Sequence, residues 1–148
     1  MKDVPLSEIT IRRYEKPRKL KLRELIKRLC LSLGLLNPGD SRDIIVDILF
    51  LFITSKKKKE MELAEIERRV YRIRKMNKQP LIGISTSNIL RQLRKLKNLY
   101  IIEKFNNKYR LCENLSLTEI IDKKVIPLLI TPSLERLKEY CKEIEKRL

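Results

Sequence analysis

Six side chains between positions 87 and 95 can make directional contacts with a flat, polar ligand: Ser87, Asn88, Arg91, Gln92, Arg94 and Lys95. The amides of Asn88 and Gln92 each carry a donor and an acceptor, which suits the edge of an adenine. The fork of Arg91 carries parallel donors, which suit a guanine. Arg94 and Lys95 add positive charge beside them. Groups for making and breaking bonds are scarce by comparison. The chain has no histidine, so no histidine-based triad or general base can be built. Its only glycines are Gly34, Gly39 and Gly83, and neither GxxxxGK[ST] nor GxGxxG occurs. Serine and cysteine nucleophiles lack a visible base. The expectation is a binding protein, not an enzyme, with no cofactor.

These six residues need an element that presents them together. Ser85, Thr86 and Ser87 offer hydroxyls that start a helix. Ile89, Leu90, Leu93 and Leu96 then recur at helical spacing, so one face is apolar and the other polar and cationic. Residues 99–105 are β-branched and aromatic, Asn106-Asn107 is a turn signal, and residues 108–111 resume the strand pattern. The stretch predicts a helix followed at once by a short β-hairpin carrying Lys104, Lys108 and Arg110.

Charge narrows the ligand. The chain has 148 residues, a net charge of +16 and a pI near 10, with 43% apolar residues, enough for a real core. A polyanion is the expected partner, nucleic acid above all, with a membrane surface as the other choice. The excess is uneven. Residues 1–39 hold ten Lys/Arg and four Asp/Glu, residues 40–55 one and three, residues 56–112 seventeen and five, and residues 113–148 seven of each. The surplus therefore sits around the candidate helix and hairpin.

Cys30, Cys112 and Cys141 are odd in number and far apart, with no CxxC, so a zinc site is not expected. Free thiols without a signal peptide point to a reducing cytoplasm. High Lys, Glu and Ile with few Gly resembles thermophile composition.

The run LRKLKNLYIIEKFNNKYRL resembles the end of a recognition helix plus the wing of a winged helix-turn-helix domain. Leu93 and Leu96 match that family's paired leucines, and Leu99, Ile101 and Ile102 match its corner into the wing. Tyr100 stands where the family often has glycine, which relieves a left-handed backbone. The resemblance covers residues 44–112. It implies that Ser87, Asn88, Arg91, Gln92 and Lys95 face duplex DNA, with Lys104, Lys108 and Arg110 on flanking phosphates.

The remaining segments extend that unit. Residues 1–18 read as a basic arm, extended or partly ordered, that packs across the domain or a partner, with DNA contact as the alternative. Residues 19–36 predict an apolar helix stopped by Asn37-Pro38-Gly39. Asp40 is expected to cap the next helix with Asp43 as its capping-box partner. Residues 44–53 run almost unbroken in apolar side chains, too few to span a membrane, and predict a buried central helix or one ending in a strand. Lys56 to Lys59 are either a solvated linker or a phosphate-contacting loop. Residues 62–75 predict a helix acidic at its start and basic at its end, which complements the helix dipole. Leu81-Ile82 are expected to add a short strand to the wing. Residues 115–121 predict a short helix, Pro127 a break, and Thr131 a cap for the last helix with Pro132 at its first position.

In that last helix Leu134, Leu137, Cys141, Ile144 and Leu148 follow a coiled-coil seam of two heptads. It is expected to join two copies, with packing onto its own domain as the alternative. The sequence thus predicts a mainly α fold with a small β-hairpin: a winged helix-turn-helix with N- and C-terminal helical extensions. The division is a basic N-terminal arm and helix over residues 1–39, the winged domain over 40–112, and dimerising C-terminal helices over 113–148. The expected function is sequence-specific binding of double-stranded DNA by a nucleoid-associated, homodimeric transcription regulator that needs neither metal nor membrane. Two recognition helices would then meet half-sites about one helical turn apart. Two alternatives keep the fold: an RNA or ribonucleoprotein binder, and a winged-helix docking subunit of a chromosome-associated assembly.

Overall fold

A helix apolar at all but two positions needs neighbours on most sides, and residues 44–54, interrupted only by Asp47 and Thr54, show how this chain supplies them. The computed structural model describes residues 2–55 and 60–148. Its helices are α1 (Leu22–Ser32), α2 (Ile44–Thr54), α3 (Leu63–Met76) and α4 (Thr86–Asn98). Strands β1 (Ile102–Phe105) and β2 (Lys108–Leu111) follow, then α5 (Leu117–Ile120), a π-helical segment Ile121–Ile130, and α6 (Thr131–Lys146). The expected run of four lysines lies outside the described residues.

Helix α2 is the centre, flanked by α1, α3 and α4 and touched by β2. Seven of its apolar side chains are buried, among them Ile45, Ile48, Leu49 and Leu51. Each contributes about 1.5–3 kcal/mol over exposure, enough to override the strand preference of its β-branched residues. The helix continues to Thr54, with no strand at its end. Around it, Ile66 and Val70 of α3 and Ile89, Leu93 and Leu96 of α4 complete one core that reaches Val125 and Leu129.

Helix α1 is shorter than predicted, because the N-terminal arm folds over its end. Thr10 lies where any side chain on Gly34 would have to go, and Gly34 has φ +69°. The Arg12 guanidinium donates to the carbonyls of Leu31 (2.8 Å) and Leu36 (3.1 Å). The Leu31 carbonyl, in the last turn of α1, also accepts from the Gly34 N–H (3.3 Å), so the guanidinium is its second donor. The arm thus packs on its own domain.

Asn106 (φ +49°) and Asn107 (φ +61°) form the two-residue turn between β1 and β2. A left-handed pair matches the twist of the flanking strands. Tyr100 is also left-handed, at φ +61°, in the place where the winged-helix pattern favours glycine. The third rung comes from Met61, which exchanges two backbone hydrogen bonds with Tyr109 (2.9 and 2.8 Å). The predicted strand at Leu81-Ile82 does not form. The Pro80 carbonyl is bound by Arg74 (2.6 Å), and Leu81 and Ile82 turn outward into solvent.

Two more expectations give way at the C-terminal side. Ser116 and Glu119 form a capping box that starts α5, but Pro127 breaks nothing. The chain widens into π turns around it, with the Thr131 N–H donating to the Ile126 carbonyl five residues back. A wider turn draws the carbonyl four residues before proline away from its ring, the clash that breaks α-helices. Thr131 is therefore already helical and caps nothing. Helix α6 runs on with no buried residue. Among the described residues no helix is long and apolar enough to cross a membrane.

Candidate nucleic-acid interface

Helix α4 starts at Ser85, whose Oγ accepts from the Asn88 N–H at 3.3 Å. Thr86 Oγ1 donates to Glu67 Oε2 (3.1 Å), tying this end to α3. Ile89, Leu93 and Leu96 turn inward and are no more than 1% exposed. Ser87, Arg91 and Lys95, spaced by four, therefore form a ridge on the opposite side. All three are exposed, as is Arg94 on its flank. Among the described residues, Arg91, Arg94 and Lys95 take part in no ion pair.

Asn88 and Gln92 sit differently from the other four. Both are half-buried. Asn88 Nδ2 donates to the Gly83 carbonyl (2.6 Å), and its Oδ1 accepts from Gln92 Nε2 (3.1 Å). Asn88 thus fastens the turn before α4 to the helix. Gly83 is left-handed (φ +87°), and a Cβ there would stand 3.0 Å from the Asn88 amide. Gln92 keeps its Oε1 for a ligand.

On the hairpin, Lys104 and Lys108 are exposed, with Lys104 Nζ 5.5 Å from the centre of the Tyr109 ring. Arg110 is engaged inside the domain. It stands 3.4 Å from both Glu60 and Glu103 and stacks 4.5 Å from the Phe105 ring centre. The open cations of the hairpin are the two lysines.

Helix α3 adds a second group of cations at its basic end. Arg68, Arg72 and Lys75 share its outer side, lining a shallow groove with Tyr71 and Met76. Spacings of four and three on a helix were the available signal.

The turn between α3 and α4 is held by a buried charge cluster. Arg74 is fully enclosed, with Nη1 2.7 Å from both Asp43 Oδ1 and Asp47 Oδ2. Its Nε and Nη2 donate to the Pro80 carbonyl at 3.0 and 2.6 Å. From α1, Arg23 meets the same carboxylates at 2.9, 3.0 and 3.2 Å. Two arginines balance two aspartates, so the cluster is neutral. Burial pushes the Asp43 carboxyl up, but hydrogen bonds from Arg74 and Arg23 outweigh it and hold it below the usual range. Hydrogen bonding to Asp47 pulls Arg23 upward. Burial drives the nearby Cys30 thiol up to about 12, which leaves it an inert core residue. Asp43 makes no cap bond to α2, because its carboxylate belongs to this cluster. Asp40 instead accepts from the Arg42 N–H (2.9 Å), a local turn.

The proposed seam lies apart from all this. Leu134, Leu137, Ile144 and Leu148 are 53%, 62%, 59% and 100% exposed, and Cys141 is exposed too. The seam does not pack on its own domain. Among the described residues no group of three or more His, Cys, Asp or Glu could hold a metal.

No protein-family model, curated protein or solved structure matches this chain.

Proposed function

We propose that the chain is a winged helix-turn-helix protein that binds double-stranded DNA with α4 in the major groove, as a dimeric transcription regulator. The observation that carries this reading is the exposed ridge Ser87–Arg91–Lys95, opposite a fully buried face. A recognition helix needs a polar, cationic tip on a rigid rod, since base edges lie at the floor of a groove that just admits a helix. The element order supports it: α2, the single bridge at Met61, α3, α4 and the β1–β2 hairpin follow each other as in that family. Lys104 and Lys108 would meet phosphates beside the groove, with Arg68, Arg72 and Lys75 as further phosphate contacts. Gln92 offers its free carbonyl to a base, and Asn88 positions it. Helix α6, unpacked on its own domain, would join two copies.

Selection of bound sequences from random duplex DNA tests the reading, and an enriched inverted repeat is the expected result. Arg91→Ala should weaken binding to that sequence by about 1–3 kcal/mol and relax preference at one base pair. Equal loss on every sequence would assign Arg91 to phosphate. Affinity that stays level between low and moderate salt would refute nucleic-acid binding, and preferential competition by structured RNA would refute the duplex.

A further inference from the structure

Helix α6 leaves the domain at Leu129, the last buried residue of the chain, and every residue from 134 to 148 is exposed. Residues 131–148 carry five Lys/Arg and four Asp/Glu, so they hold only +1 of the chain's +16. The domain behind them holds +15. A nucleic acid has no reason to choose this stretch, whereas a second copy meets least repulsion here. Two heptads bury little, so the side chains flanking the seam decide how two such helices lie. Lys138 and Glu145 occupy one flank. Among the described residues neither is ion-paired, although Arg136–Glu139 and Arg147–Glu143 are paired along the same helix.

Three pairings put the seam in contact with itself. In a parallel, in-register pair Lys138 faces Ser133 of the second copy and Glu145 faces Tyr140, so no charges are matched. An antiparallel pair centred on residue 139 sets Lys138 against Lys138. An antiparallel pair centred between Lys142 and Glu143 sets Lys138 against Glu145 of the second copy, twice by symmetry. Its seam then packs Cys141 on Ile144, and brings Leu137 beside Leu148 just past the end of the second helix. Long-range charge favours the same choice. A parallel pair holds the two +15 domains side by side, with helix axes about 8–10 Å apart. The staggered antiparallel pair puts 27 residues of helix, about 40 Å, between the two Leu129 anchors. That is several screening lengths at physiological salt.

We infer that α6 is a self-pairing helix that joins two copies antiparallel, about a two-fold axis between Lys142 and Glu143. This rests on the dimer reading above and adds its direction. The test is sedimentation equilibrium of the full chain at low salt, comparing wild type, Lys138→Glu, Glu145→Lys and the double exchange. Each single change turns two opposite-charge pairs into like-charge pairs and should raise the dimer Kd about tenfold. The double exchange restores both pairs and should return Kd to within about twofold. Circular dichroism should show unchanged helix content throughout. Single changes without effect, or a double exchange no better than the singles, would refute this direction while leaving the dimer standing. A wild type that stays monomeric would remove the dimer, and this pairing with it, without touching the α4 interface.

Discussion

Replacing Arg74 with methionine tests how the turn before α4 is held in place. The guanidinium makes four hydrogen bonds from inside the domain, two to carboxylates and two to the Pro80 carbonyl. Arg74→Met replaces the stem of the side chain as far as Nε but removes the guanidinium, and leaves Asp43 and Asp47 sharing only Arg23. One buried negative charge is then uncompensated, and the Pro80 carbonyl loses its donors. An exposed ion pair would be worth under about 1 kcal/mol; removing one partner of a buried cluster costs about 3–5 kcal/mol. Full enclosure of Arg74 and Asp47 selects the larger figure. At about 2–4 °C per kcal/mol for a chain of this size, the melting temperature should fall by about 6–20 °C. Urea unfolding followed by circular dichroism measures the loss directly. The control is Arg74→Met with Asp47→Leu, which leaves Arg23 and Asp43 as a balanced pair. Its cost should lie at least about 2 kcal/mol below the sum of the two single changes. A loss under about 1 kcal/mol for Arg74→Met, or strict additivity in the double variant, would refute the idea that buried charge balance holds this region.

The same cluster sets an acid limit. Asp43 titrates below its ordinary value of 3.8 in the folded chain, so the unfolded chain takes up its proton first as pH falls. Its contribution is complete above about pH 4 and is lost below that, through the folded value; Asp43→Asn should flatten that part of the stability–pH curve. Tyr100 holds a left-handed backbone that costs a side-chain-bearing residue about 1–2 kcal/mol. Glycine loses part of that gain through its more disordered unfolded state. Tyr100→Gly should therefore raise unfolding free energy by about 0.5–1 kcal/mol in urea titrations, and a decrease would show that the ring's contacts outweigh the strain.

Local signals survived folding wherever the deciding contacts were local. Ser85 caps α4 and Asn106-Asn107 turn the hairpin, as expected, because a cap and a two-residue turn are settled within a few residues. The apolar run at 44–53 became the central helix for a related reason, since its composition leaves it no exposed face. The burial of Arg74 is not legible locally, because its partners lie 27 and 31 residues away and its neighbours in sequence are those of a basic helix end. Asp43 was assigned to a cap by its spacing, which carries no trace of two arginines arriving from other helices. Asn88 has a side chain fit for reading a base, but the turn at Gly83 claims it first. Pro127 reads as a breaker in any α-helix, and nothing near it in sequence announces a wider turn.

That wider turn has a consequence for how the C-terminal rod is aimed. A helix advances about 100° per residue, so the ten residues from Ile121 to Ile130 act as a phase shifter between the domain and α6. The residues that bury themselves against the domain, Ile120, Val125 and Leu129, are spaced five and four apart, and the seam resumes beyond them on its own bearing. Inserting or deleting one residue there would swing the seam by about a quarter turn. The bearing of the exposed α6 seam is thus set by a stretch that lends Val125 and Leu129 to the core yet shares no residue with the exposed ridge of α4.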